Sequence, residues 1–285
     1  MYDQAERLRN RLKGQDKQAK TIAIVSGKGG VGKSNTALNF SIELQNRGKK
    51  VLLFDLDVGM GNIDILLGNE SKHSIVNLFN EFLPIHDIIE LGPKGLSYIA
   101  GGSSLNELIQ LDEDKLNYFY EQYDRLVNDY DYILFDLGAG ASISSMSFVL
   151  SSDECVVITT PEPTSITDAY SMIKHIILKR KDMPISVIMN RCNSRKEGVR
   201  TLEKFNQVVS HFLHSNIIKM GMLPNDQIVS TAVIRQTPYI LLNKNAPVSK
   251  ALNEIVTNFL QQTNELNELQ RVSFVQKLKH FLSKE

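Results

Sequence analysis

Residues 25–34 read VSGKGGVGKS: Val25, Ser26, Gly27, Lys28, Gly29, Gly30, Val31, Gly32, Lys33, Ser34. The apolar, β-branched run TIAIVS leads into it, and KSNTALNFSIELQ, with helical spacing, leads out. Gly27, Gly32, Lys33 and Ser34 have the spacing of a phosphate-cradling loop between a buried strand and a helix. Glycines let successive backbone N–H groups converge on phosphate oxygens, and the helix N-terminus adds a favourable dipole. In such a loop Gly29, Gly30, Val31, Gly32 and Asn35 surround the nucleotide phosphates. Lys33 pairs with the β- and γ-phosphates, and the Ser34 hydroxyl coordinates Mg²⁺. Lys28 is a second lysine that the cradle itself does not require.

The same alternation continues along the chain. KVLLFD, YILFD, ECVVITT, ISVIMN and NIIKMGML read as buried strands, with helices over 33–47, 164–180 and 197–214. LSYIAGG reads as a further strand and 113–128 as a further helix. Buried strands alternating with helices imply parallel pairing and right-handed crossovers. The expected fold is therefore α/β: a doubly wound, mainly parallel sheet with helices on both faces. Its ligand should lie at the carboxyl ends of the strands.

Two strand ends supply carboxylates there. Asp136 closes the apolar run in DYILFDLGAG and suits an ion-binding role, directly or through water. Asp55 and Asp57 follow KVLLF; Asp55 is a second candidate ion ligand. Spacing alone leaves Asp57 open, as an ordinary loop carboxylate or as a group orienting an attacking water.

Bulk properties bound the rest. The chain has 285 residues, 42% hydrophobic and 22% charged, and formal net charge zero. Residues 1–20 hold six Lys/Arg against three Asp/Glu, and 271–285 hold four against one. Both ends thus carry about +3 and the body between them about −6, which argues against wholesale nucleic-acid binding. Cys155 and Cys192 are far apart and form no Cys-x-x-Cys, so a disulfide scaffold, zinc site or iron–sulfur cluster lacks support. The polar N-terminus and the lack of a long apolar run make a cytoplasmic protein the expectation.

The segment Lys28-Gly29-Gly30-Val31-Gly32-Lys33-Ser34, with FDLDVGMGNIDILLG and TTPEPTSITDAY, resembles the MinD/ParA group of ATPases, whose phosphate loop carries an extra early lysine. The resemblance covers roughly 21–260. It implies ATP/ADP and Mg²⁺ as ligands and slow regulatory hydrolysis. It also implies an ATP-sandwich homodimer in which Lys28 of one copy reaches the phosphates held by the other, doing the electrostatic work of an arginine finger. By the same resemblance Asp57 positions the hydrolytic water, and Asp136 opens a switch segment through Gly138 and Gly140. Glu162 and Asp168 become candidate partners for Lys28 in the resting monomer. Asn190 matches an adenine contact, with a satisfied turn asparagine as the alternative, and Pro224 and Asp226 match the loop over the base. The GTPase-type Asn-Lys-x-Asp is absent, since the chain runs Asn190-Arg191-Cys192-Asn193.

The basic ends complete the organisation: an arm over 1–20, an ATPase domain over 21–262 and a tail over 263–285. In RVSFVQKLKHFLSKE, Phe274, Val275, Leu278, Phe281 and Leu282 fall on one helical arc, with Lys277 among the polar residues opposite. A membrane-surface helix is the favoured expectation; a helix docked on the domain's own core is the alternative. In the arm, Asp3-Gln4-Ala5, followed by Leu8-Arg9, resembles the DQAxxLR element of the flagellar placement and number regulators in this group (FlhG, or YlxH). That resemblance implies an SRP-type GTPase partner of the FlhF kind, stimulated through Gln4 with Leu8 and Arg9 docking, and contacts with flagellar C-ring components. DNA partitioning of the ParA type and division-site regulation of the MinD type stay open as alternatives. Metal-cluster carriers of the same superfamily need paired cysteine ligands.

Overall fold

Short apolar runs become strands here because β-branched residues pack well on a pleated surface covered on both sides. In the computed structural model, which describes residues 18–57, 62–102, 113–140, 143–265 and 272–282, they assemble one eight-stranded sheet. The strands are β1 (Lys20–Val25), β2 (Val51–Leu56), β3 (Glu90–Leu91), β4 (Ser97–Ile99), β5 (Tyr132–Leu137), β6 (Glu154–Thr159), β7 (Ile185–Cys192) and β8 (Ile218–Pro224). Their order is β3-β4-β2-β5-β1-β6-β7-β8, parallel throughout except where β3 meets β4. Strand β3, two residues long, carries no pattern readable in sequence.

The helices are α1 (Lys33–Asn46), α2 (Ile63–Leu67), α3 (Ile75–Asn80), α4 (Glu113–Leu126), α5 (Ile143–Ser151), α6 (Pro163–Lys179) and α7 (Arg195–Leu213). After β8 come α8 (Gln227–Ile234), α9 (Tyr239–Leu242), α10 (Pro247–Glu265) and α11 (Phe274–Leu282). The period-2 alternation of each strand feeds two cores. Ala23, Val25, Leu52 and Phe54 join one side with α4, α5, α6 and α7. Ile22, Ile24, Val51 and Leu53 join the other with α1, α9 and α10. Successive connections reverse direction across the central strand β1, so a crevice opens at its carboxyl end, where the glycine loop emerges.

In this structure the tail adopts the alternative, a helix docked on the domain's own core. Phe274, Val275 and Leu278 of α11 are buried, and Phe281 and Leu282 pack against the same core. Lys277 pairs with Asp153 at 2.8 Å, and Lys279 lies over the Tyr120 ring at 4.6 Å. The amphipathic face expected to meet lipid is thus turned onto the domain. Burying each such apolar side chain contributes about 1.5–3 kcal/mol, and Tyr123, Phe135 and Phe148 supply aromatic faces for Phe274. Among the described residues, no helix is long and apolar enough to cross a membrane. The arm residues Asp3, Gln4, Ala5, Leu8 and Arg9 lie outside the described residues.

Candidate functional site

The glycine loop leaves β1 after Val25 and enters α1 at Lys33. Gly30 (φ 77°) and Gly32 (φ 92°) occupy the left-handed region, which costs a side-chain-bearing residue about 1–2 kcal/mol. Gly27 is required for another reason. A Cβ there would stand 2.3 Å from the Asp168 carbonyl carbon and oxygen at the start of α6, so the loop lies directly on that helix.

Lys33 is buried, and its Nζ donates to Asp136 Oδ1 at 2.6 Å and Ser34 Oγ at 3.2 Å, with Asp57 Oδ2 at 3.3 Å. Burial works against the ammonium, but Asp136, Asp57 and Asp55 more than offset it and hold its pKa above the ordinary lysine value. The residue meant for phosphates thus rests on the carboxylates. Asp136 is fully buried, and its Oδ2 has no hydrogen-bond partner among the described residues. A buried carboxylate oxygen left open is costly unless something takes it up, and with the Ser34 hydroxyl it fits the hard oxygen set that Mg²⁺ prefers. Ser26 Oγ and Thr160 Oγ1, on residues lining the same cavity, are likewise buried and without a partner among the described residues.

Asp55 stands beside Asp136 in the β2–β5 register, yet its carboxylate turns to the backbone. Oδ1 accepts from Asp57 N at 3.0 Å, and Oδ2 accepts from Asn62 N at 2.8 Å and Ile63 N at 3.1 Å. Burial and the neighbouring Asp136 push its pKa up to about 7 against the pull of those amides. In this structure its oxygens are taken up by the backbone amides of Asp57, Asn62 and Ile63.

Lys28 sits at the rim, 41% exposed, and donates to Glu162 Oε2 at 3.2 Å and Thr164 Oγ1 at 3.1 Å. Of the two carboxylates considered for it, the structure brings up Glu162; Asp168 meets the loop through its backbone at Gly27.

A cavity of about 1030 Å³ runs from this loop to the β7 and β8 ends, large enough for a nucleotide. Gly29, Gly30, Gly32, Lys33, Ser34, Asn35 and Asp57 line one end, and Asn190, Pro224 and Asp226 the other. Val31 instead points its side chain into the core. Asn190 is partly committed: its Nδ2 donates to Val31 O at 2.8 Å, and its Oδ1 accepts from Arg191 N at 2.9 Å. The satisfied-turn alternative describes this state, although one N–H stays available. Asp226 caps α8, accepting from Ile228 N at 3.1 Å, and also accepts from Val248 N at 3.3 Å. Sequence reasoning missed the apolar wall of Val229, Val233, Tyr239 and Val248 and the polar Thr160 and Arg191. Their types are common in any core or turn, so only the fold marks them.

A central-strand glycine loop, a buried lysine between two carboxylates and a nucleotide-sized crevice define a P-loop nucleoside triphosphatase with an extra loop lysine. The chain belongs to the ParA family: the model described as "NUBPL iron-transfer P-loop NTPase" matches residues 17–260. Among curated relatives, the flagellum site-determining protein YlxH of Helicobacter pylori is 34% identical over 258 residues, covering 87% of this chain and 85% of that protein. The antiactivator FleN of Pseudomonas aeruginosa is 31% identical over 215 residues, covering 75% and 77%. The septum site-determining protein MinD of H. pylori is 30% identical over 213 residues, covering 73% and 70%. Among solved structures, MinD of Pyrococcus horikoshii complexed with Mg-ADP superposes with a TM-score of 0.72 at 24% identity, covering 88% of this chain and 100% of that one. MinD of Aquifex aeolicus does so with 0.67 at 28%, covering 85% and 97%.

Proposed function

We propose that this protein is an ATP-driven dimerising switch that sets flagellum placement or number. The observation that carries the reading is the division of labour between two lysines: Lys33 buried on Asp136 and Asp57, Lys28 exposed at the rim on Glu162. Only a lysine at the rim is free to serve a site on a second copy.

ATP entering the loop draws Lys33 from the carboxylates to the β- and γ-phosphates. Asp136 and Ser34 would then hold Mg²⁺, which supplies charge neutralisation at the phosphates when bound. Asp57 is left facing the cavity, where it orients the attacking water and accepts its proton as the bond from the γ-phosphorus to the ADP oxygen breaks. Two copies close face to face, Lys28 leaves Glu162, and it stabilises charge on the γ-phosphoryl group across the interface. Hydrolysis reopens the pair.

The flagellar assignment rests on the relatives. H. pylori holds both a YlxH and a MinD, and this chain matches the former at higher identity over more residues. Stimulation of an SRP-type GTPase by the arm, through Asp3, Gln4, Ala5, Leu8 and Arg9, and contact with C-ring components extend the same reading. So does membrane attachment, by release of α11 from its groove in the dimer; two released tails bind far better than one. The protein would then be cytoplasmic and reversibly peripheral at the membrane. The iron transfer in the family description is not part of the proposal, since Cys155 and Cys192 are both buried and lie on different strands.

The test is ATP turnover as a function of protein concentration. A dimer-dependent site gives specific activity that rises with concentration before it saturates. Constant specific activity down to dilutions where only single copies exist would overturn the proposal.

A further inference from the structure

Asp55 is among the most deeply buried carboxylates of the described residues, at 1% exposure, and its hydrogen bonds run to the backbone of Asp57 and of the start of α2. One oxygen takes the amide of Asp57, two residues on. The other takes the amides of Asn62 and Ile63, where α2 begins. Ile63 is itself fully buried and Asn62 lines the nucleotide cavity, so Asp55 links the core-anchored start of α2 to the backbone of Asp57. The space around this carboxylate is closed. A Cβ at Gly101 would lie 3.0 Å from the Asp55 carbonyl oxygen and 3.3 Å from Oδ1, and one at Gly138 would lie 3.1 Å from Asp57 Oδ1. Two glycines thus leave room for the pair of aspartates to sit where they do, one gripping backbone and one facing Lys33.

From this geometry we infer that Asp55 is a positioning residue: it ties the backbone of Asp57 to the start of α2 at Asn62 and Ile63 and so fixes the direction in which Asp57 presents its carboxylate to the nucleotide cavity. This rests on the proposed ATPase reading, in which Asp57 holds the attacking water. A clamp differs from an ion ligand in what it controls. Loss of a ligand changes the Mg²⁺ concentration the site needs; loss of a clamp lets Asp57 wander while the ion and phosphates still bind. Asparagine is the informative replacement, because it keeps size and shape but turns one acceptor oxygen into a donor facing backbone N–H groups.

The test compares wild type, Asp55→Asn, Asp57→Asn and the double variant. If Asp55 acts through Asp57, Asp55→Asn lowers kcat by about 10- to 100-fold, as a misplaced catalytic group does, with KM for ATP and the Mg²⁺ midpoint shifted by less than about threefold. The double variant then hydrolyses no more slowly than Asp57→Asn alone, the non-additivity of groups that act as a unit. A Mg²⁺ midpoint raised tenfold with kcat preserved, or fully additive losses, would overturn the inference. A wild type without ATPase activity would instead overturn the functional reading. A second measurement needs neither turnover nor a stable variant. In nucleotide-free wild type, amide exchange followed by NMR should show the Asp57, Asn62 and Ile63 protons protected at least tenfold over open-loop rates, and exchange at open-loop rates would remove the clamp.

Discussion

Phe274 of the tail helix stacks on Phe135, with ring centroids 5.0 Å apart and planes within 25°, and Phe135 is the residue immediately before Asp136 on β5. Tyr123 takes the flank of Phe274 at 4.9 Å and Phe148 at 5.9 Å. The tail therefore rests on the strand that carries the ion-binding candidate, and a change at the nucleotide site has a short packed route to the groove.

Truncating that contact should free the helix without unfolding the domain. Core Phe→Ala changes cost about 3–5 kcal/mol, more than a nine-residue helix is expected to withstand. Phe274→Ala is expected to raise the rate of proteolytic removal of the tail by about tenfold or more, read by mass spectrometry. Unchanged protection would mean that the stack contributes little to docking.

Deleting residues 271–285 should abolish ATP-dependent co-sedimentation with anionic vesicles while leaving ATP affinity within about threefold, because loss of an amphipathic anchor removes its whole apolar and electrostatic contribution. The deletion also uncovers apolar surface around Phe135 and Phe148, so the thermal midpoint should fall. Undiminished vesicle binding would place the lipid contact elsewhere.

Docking should also weaken in acid. Burial works to raise the Asp153 pKa, but Lys277 and the Thr21 amide outweigh it, so the folded value lies below the ordinary 3.8. A carboxyl with a depressed folded pKa contributes stability that is present above its unfolded pKa and is lost as pH falls through the folded one. Tail protection against exchange should therefore hold from neutral pH down to about pH 4 and drop below it. Lys277→Ala should flatten that dependence. A drop already complete at pH 5 would point to another group.

Asp57→Ala should bind ATP and accumulate as dimer, since the change removes the group that holds water and leaves Lys33, Ser34 and Asp136 in place. Hydrolysis should fall by about 100-fold or more, in line with loss of a positioned proton acceptor. A variant that stays monomeric with ATP would contradict the switch role.

The phosphate loop is legible because its chemistry is contiguous: Gly27 to Ser34 encode turn, cradle and helix start in eight residues, and the flanking strand and helix have clean periods. The alternation of buried strands similarly announced the parallel sheet. Strand β3 was not legible, since Glu90 and Leu91 gain strand geometry only by pairing with Tyr98 and Ser97. For the tail, Phe274, Val275 and Leu278 make the same amphipathic arc whether the apolar partner is lipid or Phe135; sequence records the face and not what covers it. Asp55 is ambiguous for a related reason. A carboxylate at a strand end suits an ion or a set of backbone amides equally, and only the fold brings Asn62 and Ile63 around to claim it.

The central claim is that Lys28 serves the nucleotide bound by a second copy. Light scattering of the wild type and of Lys28→Ala, each with Mg²⁺ and either ADP or a non-hydrolysable ATP analogue, tests it most directly. The account predicts that the wild type doubles from its 32.1 kDa mass with the analogue and not with ADP, and that Lys28→Ala binds the analogue yet keeps the single-copy mass. A wild type that hydrolyses ATP at full rate as a single copy, or a Lys28→Ala variant that pairs normally, would contradict it.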